Sequence, residues 1–180
     1  MLNKFAKLPH PVAVDPKQFS DRKKRMYWFL TENPVGVLST VTPDGEPHGV
    51  VIYFVTSKDF TISFLTKTGT RKYDNLVHNG RIHLTIFDPK TQAVVQISGQ
   101  ATEITDSYIV NSVAGSVLGV TQRANQPGPT PLSKLDAGFY TAFDITPTQV
   151  RMAVYTRPDP GDYDDLFESV ESFELIDNAS

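Results

Sequence analysis

Three consecutive residues of this chain, Thr70, Arg71 and Lys72, have the clearest capacity for chemistry. They follow Gly69 in the segment Phe64-Leu65-Thr66-Lys67-Thr68-Gly69-Thr70-Arg71-Lys72-Tyr73, which reads as a strand running into a helix. Thr70 suits the N-cap position, so the two cations would stand in the first helical turn. The helix dipole disfavours cations there, and the free N–H groups of that turn want an acceptor. A bound phosphate answers both needs: it accepts from the N–H groups and from Thr70, and pairs with Arg71 and Lys72. Gly69 would let the backbone approach it. The alternative is a solvated helix start whose long cations point into water, and spacing alone balances the two. The segment is not a Walker loop, because the G-x-x-x-x-G-K-[ST] spacing is absent.

Other chemistries find less support. His10, His48, His78 and His83 share no metal-ligand spacing, so no metal site is expected. No serine sits in a nucleophile elbow. The chain has no cysteine, which excludes disulfides, thiolate metal sites and a cysteine nucleophile. Its 180 residues carry a formal net charge of −3, so no bulk positive field draws it to nucleic acid or an anionic membrane. Any anion site must be local. No stretch is apolar for long enough to cross a bilayer. The first fifteen residues have no apolar leader core, and the expected compartment is the cytoplasm.

The elements that must position Thr70 to Lys72 are mostly strands. Residues 1–19 read as an irregular arm. Ser20 can cap a helix that runs through Arg25, Trp28 and Phe29 to about Asn33, where Pro34 stops it. Residues 35–41 form a small, β-branched strand, and Thr42-Pro43-Asp44-Gly45 is a hairpin turn. Residues 48–55 are almost continuously apolar, as in a strand covered on both faces. After a turn at Ser57-Lys58-Asp59, residues 60–66 alternate, with Phe60, Ile62 and Phe64 on one face. A helix over 70–79 has Gly80 as its expected C-cap. Strands are expected at 81–87 and 93–105, the latter with a bulge or bend at Gly99. A helix over 106–118, a loop over 119–138 and two strands at 139–145 and 150–156 follow. The tail over 158–180 is acidic and gives no clear element. Short strands at hairpin spacing favour an antiparallel β-barrel with peripheral helices, in one domain spanning 1–180.

In order, VGVLSTVTPDGEPHGVVIYFV, FTISFLTKTGTRKYDNLVHNGRIHLTIFD and VVQISGQATEI resemble the pyridoxamine 5′-phosphate oxidase-like split-barrel family. The similarity covers roughly Glu32 to Thr105, with weaker support over 137–156. It implies a mainly β, antiparallel split barrel that binds FMN as a homodimer, with the flavin at the subunit interface. By resemblance, Val50, Val51, Ile52 and Tyr53 lie along the flavin ring, Thr66 touches the flavin, and Thr70, Arg71 and Lys72 hold the phosphate. The vitamin B6 oxidase itself has an arginine and a lysine flanking that strand; the matching places here are His48 and Tyr53. The C-terminal Arg-x-His pair that handles its substrate is absent. The resemblance therefore implies a flavin-dependent oxidoreductase acting on some other small molecule. The alternatives are a non-catalytic flavin-binding or stress-related protein and a reductase that uses deazaflavin F420.

Overall fold

The computed structural model describes residues 21–124, 140–155 and 167–174. The expected N-terminal arm and residues 125–138 of the expected loop lie outside them. Among the described residues there are three helices and seven strands: α1 (Arg22–Glu32), β1 (Val35–Val41), β2 (Pro47–Thr56), β3 (Ile62–Lys67), α2 (Arg71–His78), β4 (Arg81–Asp88), β5 (Ala93–Ile104), α3 (Ser107–Ala124), β6 (Tyr140–Tyr155) and β7 (Phe167–Glu174). The strands lie in the order β3-β2-β1-β4-β5-β6-β7, and β3 also pairs with β6. That pairing closes the first six strands into an antiparallel barrel, the fold expected. No helix among the described residues is long and apolar enough to cross a membrane.

Alternation fills the barrel. Leu38, Ile52, Phe54, Ile62, Phe64, Leu84, Ile86, Val95, Ile97, Phe143 and Ile145 are buried in one cluster. Met26, Phe29 and Leu30 of α1 join it, spaced at i, i+3 and i+4 so that one helical stripe covers the core. The helix starts one residue later than Ser20 would set it: the Asp21 carboxylate accepts from the backbone N–H of Lys23 (2.9 Å) and Lys24 (3.3 Å). A carboxylate there also complements the dipole. At the other end both the backbone N–H and the amide Nδ2 of Asn33 donate to the Phe29 carbonyl.

Several boundaries differ from expectation for local reasons. β3 begins at Ile62, because Phe60 sits in the preceding turn with φ 69°. Its ring is nonetheless buried and meets Tyr27 edge-on at 6.2 Å. Core burial outweighs the left-handed strain of a bulky residue. α3 runs six residues beyond Leu118, because Val117, Val120 and Thr121 continue its buried stripe past Gly119. The two strands expected after the loop are one strand, β6, sixteen residues long. The acidic tail supplies β7, which pairs with β6 from Gln149 onward.

β6 serves two partners in succession. Its residues Tyr140 to Ile145 pair with β3, and those from Gln149 onward pair with β7. Pro147, which has no N–H to donate, falls in the gap between them, where that edge asks for no ladder bond. The expected irregularity at Gly99 lies across from it: the β5–β6 register shifts between Ser98 and Gly99. A Cβ at Gly99 would lie 2.6 Å from the Thr146 carbonyl oxygen.

Gly80 does a different job from the one expected. The C-cap of α2 is Asn79, in extended conformation. Gly80 instead packs against β5: its carbonyl accepts from the Ala101 N–H at 2.7 Å, and an added Cβ would lie 2.4 Å from the Ala101 carbonyl oxygen. Gly80→Ala should therefore force the chain off β5 and lower stability by about 1–3 kcal/mol, as overpacking does. Urea unfolding with an unchanged midpoint would show that this close approach carries no cost.

Candidate functional site

The opening that defines the site comes from a short ladder. β2 and β3 pair only at Phe54–Phe64, Val55–Ser63 and Thr56–Ile62. Beyond Phe54 and Phe64 the strands diverge, β2 staying with β1 and β3 with β6. Val50, Val51, Ile52 and Tyr53 line one side of this split, and Thr66 lies on the other. Side-chain alternation divides the four strand residues. Val50 and Ile52 turn into the barrel, where Ile52 is buried in the core. Val51 is 60% exposed on the outer face. Tyr53 packs outside, with Leu65 and with Val113, Ala114 and Val117 of α3. Only Val51 and Tyr53 can thus offer side chains to anything outside the barrel.

At the end of β3 the chain turns into α2. Thr70 is the N-cap, as its spacing predicts; its Oγ1 accepts from the Tyr73 N–H at 3.3 Å and donates to the Lys67 carbonyl at 2.9 Å. Thr66, 4% exposed, brings its Oγ1 to 3.2 Å from that of Thr70. Gly69 stands at φ +72°, a conformation that glycine adopts without strain. The start of α2 therefore carries a pair of hydroxyls in contact, followed by Arg71 and Lys72 in the helix's first turn with its free N–H groups. Arg71 is exposed.

Lys72 is the unusual member. Its Nζ lies 5.5 Å from the centroid of the Phe64 ring, which is fully buried and stacked on Phe143. Burial pushes the ammonium pKa down to about 8. The ring face attracts the cation, while burial removes it from solvent. No carboxylate among the described residues contributes to holding this charge. A half-buried ammonium with no carboxylate partner among the described residues favours pairing with an anion.

Two further residues border this site and were not foreseen. Asn75, 1% exposed on α2, donates from Nδ2 to Thr40 Oγ1 at 3.0 Å and lies 3.5 Å from His48 Nδ1. Asp44, in the β1–β2 turn, has its carboxyl held below the usual carboxylate range, chiefly by a hydrogen bond with Thr42. Its own backbone N–H adds to this, and the Arg71 charge makes a smaller contribution. Both contacts span more than twenty-five residues of sequence, and nothing in local spacing announces them. Among the described residues no three His, Asp or Glu side chains gather as a metal site.

The Lys72 amine should titrate below the ordinary lysine value. NMR of the reductively ¹³C-methylated protein should give it a midpoint near pH 8, against about 10.4 for an unperturbed lysine. Because the folded value lies below the unfolded one, the cost of the buried charge is present in full below pH 8. Stability from this group rises as the pH climbs from there towards the unfolded value. A midpoint at the ordinary lysine value would remove the uncompensated charge from the site.

Known proteins place this geometry in a family. The model of the pyridoxamine 5′-phosphate oxidase family matches residues 23–153. A pyridoxine/pyridoxamine 5′-phosphate oxidase from a Nostoc species is 28% identical over 119 residues, which are 60% of this chain and 54% of that protein. The chain thus spans about half the length of this curated relative. Among solved structures, an F420 reductase superposes with a TM-score of 0.56 at 24% identity, over 69% of this chain and 94% of its own. A pyridoxamine 5′-phosphate oxidase-related, FMN-binding protein from Nostoc punctiforme gives a TM-score of 0.50 at 17% identity, over 84% and 93%. At these identities the structural likeness speaks for the fold. Together with a family match from within α1 almost to the end of β6, it means that the chain belongs to the pyridoxamine 5′-phosphate oxidase family.

Proposed function

We propose that this protein binds FMN between two copies of itself and acts as a flavin-dependent oxidoreductase on a small molecule. One observation carries the cofactor assignment: Lys72, two residues after the Thr70 cap, keeps its ammonium half-buried over the Phe64 ring, with no carboxylate among the described residues to balance it. A phosphate monoester fits that donor set. Thr70, Arg71, Lys72 and the free N–H groups of α2 would hold it. Thr66 would meet the flavin next to the phosphate arm, and the stretch from Val50 to Tyr53 would flank the ring. FMN would supply the hydride and electron chemistry; the protein's part is binding, orientation and access.

The family relationship supports this cofactor class, and the FMN-binding Nostoc punctiforme protein shares the fold. The F420 reductase shares it too, so a deazaflavin phosphodiester is the second reading; the absorption spectrum of the released cofactor separates the two. Turnover of NAD(P)H separates an oxidoreductase from a flavin-binding protein without catalysis. The substrate should differ from that of the B6 oxidase. A phosphorylated pyridine needs its own charged donors, and His48 and Tyr53 stand where the resemblance expects an arginine and a lysine.

Exposed apolar surface supports the dimer. Val37 (45% exposed) pairs across the β1–β2 ladder with Val51, and Phe87 (50% exposed) shares their outer face on β4. An apolar strip on three adjacent strands calls for a cover, and a second copy is the cover proposed here.

Replacing both Arg71 and Lys72 with alanine should weaken FMN binding at least tenfold, about 1.4 kcal/mol, in a flavin fluorescence titration. The FMN-loaded wild type should leave pyridoxamine 5′-phosphate unoxidised under air. Unchanged affinity would overturn the phosphate assignment, and saturable formation of pyridoxal 5′-phosphate would overturn the substrate argument. Light scattering of the FMN-loaded protein at micromolar concentration should report twice the 20.0 kDa chain mass. A particle of single-chain mass would rule out the dimer.

A further inference from the structure

We propose that Asn75 is a positioning residue for the anion site: by bonding α2 to the β1–β2 hairpin, it fixes where Thr70, Arg71 and Lys72 stand. This rests on the reading of that site as a phosphate cradle. The starting point is the helix itself. α2 has only eight residues, too few to be stable alone in water, so its placement must come from docking. Leu76 supplies buried apolar contact, but apolar burial is non-directional and lets a short helix roll or slide. Hydrogen bonds do not, because they weaken steeply as they misalign.

Asn75 provides the directional contact. A buried amide costs stability unless it is satisfied, and an apolar side chain could fill the same place. The amide instead donates to Thr40 Oγ1, which itself donates to the His48 carbonyl at 3.3 Å. Thr40 and His48 are paired across the β1–β2 ladder. The bond therefore reaches both strands of the hairpin just before its turn. That turn is itself fixed: the Gly45 N–H donates to the Thr42 carbonyl, the Thr42 N–H to the Glu46 carbonyl and the Glu46 N–H to Thr42 Oγ1, each at 2.9 Å. Arg71 precedes Asn75 by four residues and so shares its face of the helix. The influence of Arg71 on Asp44 agrees with that orientation. A rigid hairpin end thus holds one side of α2, and the first helical turn is carried with it.

The test separates the phosphate from the ring. FMN and riboflavin differ only by the phosphate, so a residue that aims the cradle should affect FMN alone. Asn75→Leu keeps a buried side chain of similar size and removes the bond. Thr40→Val removes the acceptor from the other side and keeps Asn75, which guards against a folding defect in the first variant. Each should weaken FMN at least tenfold and leave riboflavin within about twofold in fluorescence titrations. The double variant should lose little more than either single one, because both break one contact. Equal losses for FMN and riboflavin would reduce Asn75 to a packing residue, and unchanged FMN affinity in both variants would refute the proposal. If wild-type protein bound riboflavin as tightly as FMN, the phosphate reading and this proposal would fall together; tight FMN binding with insensitive variants would sink this proposal alone.

Discussion

The pairing of β3 with β6 is the constraint on which the rest of this structure depends. Six residue pairs, from Ile62–Ile145 to Lys67–Tyr140, close the barrel. Once β3 is held from that side, it no longer needs β2 along its whole length, and the β2–β3 ladder can stop after three pairs. The split follows directly. Without the β6 partner, a diverging β3 would leave a row of unpaired buried backbone groups, each costing about as much as a lost hydrogen bond. The long β6 is the other half of the same solution. It passes from β3 to β7 around Pro147, so on that side of β6 no ladder bond is asked of a residue that has no N–H.

α2 inherits its place from that closure. Only three residues separate the end of β3 from the helix's first turn, so the strand that closes the barrel also delivers Thr66, Thr70, Arg71 and Lys72 to the mouth of the split. Phe64, fully buried beneath Lys72, belongs to the same strand. The charged end of the lysine is therefore held against the hydrophobic core that the barrel creates. Core burial and the anion site are coupled: the packing that stabilises the fold also desolvates the ammonium. An anion brought there would regain part of what the amine loses by leaving water.

The outer face of the sheet carries a different kind of incompleteness. α3 covers it over Tyr53, Val55 and Leu65, while Val37, Val51 and Phe87 remain open beside it. The half-buried ammonium at the start of α2 lacks a counter-charge among the described residues, and the apolar strip on the β2–β1–β4 face lacks a cover among them. A cofactor with an anionic arm and a flat aromatic ring, held between two copies, would complete both. That economy is the main physical support for the proposed function.

Periodicity and punctuation in the sequence determined most of the barrel. The two-residue alternation of β3 and β4, the turn at Thr42 to Gly45, the bend at Gly99 and the Thr70 cap are local properties, so they are legible locally. The grouping of Thr70, Arg71 and Lys72 was legible for the same reason, since adjacent residues need no fold to bring them together. Tertiary structure alone decided the rest. Phe60 leaves its expected strand because a buried ring outweighs a strained φ. β6 is one strand because β3 and β7 serve its two halves in turn, and β7 emerges from an acidic tail whose alternation is weak without a partner. Lys72 is set apart by its burial over Phe64, and Asn75 bonds to Thr40, thirty-five residues away in sequence. Short-range spacing records which residues can act. Long-range packing sets which are desolvated, which are satisfied and which way they face, because those properties belong to neighbours that the chain meets only after it has folded.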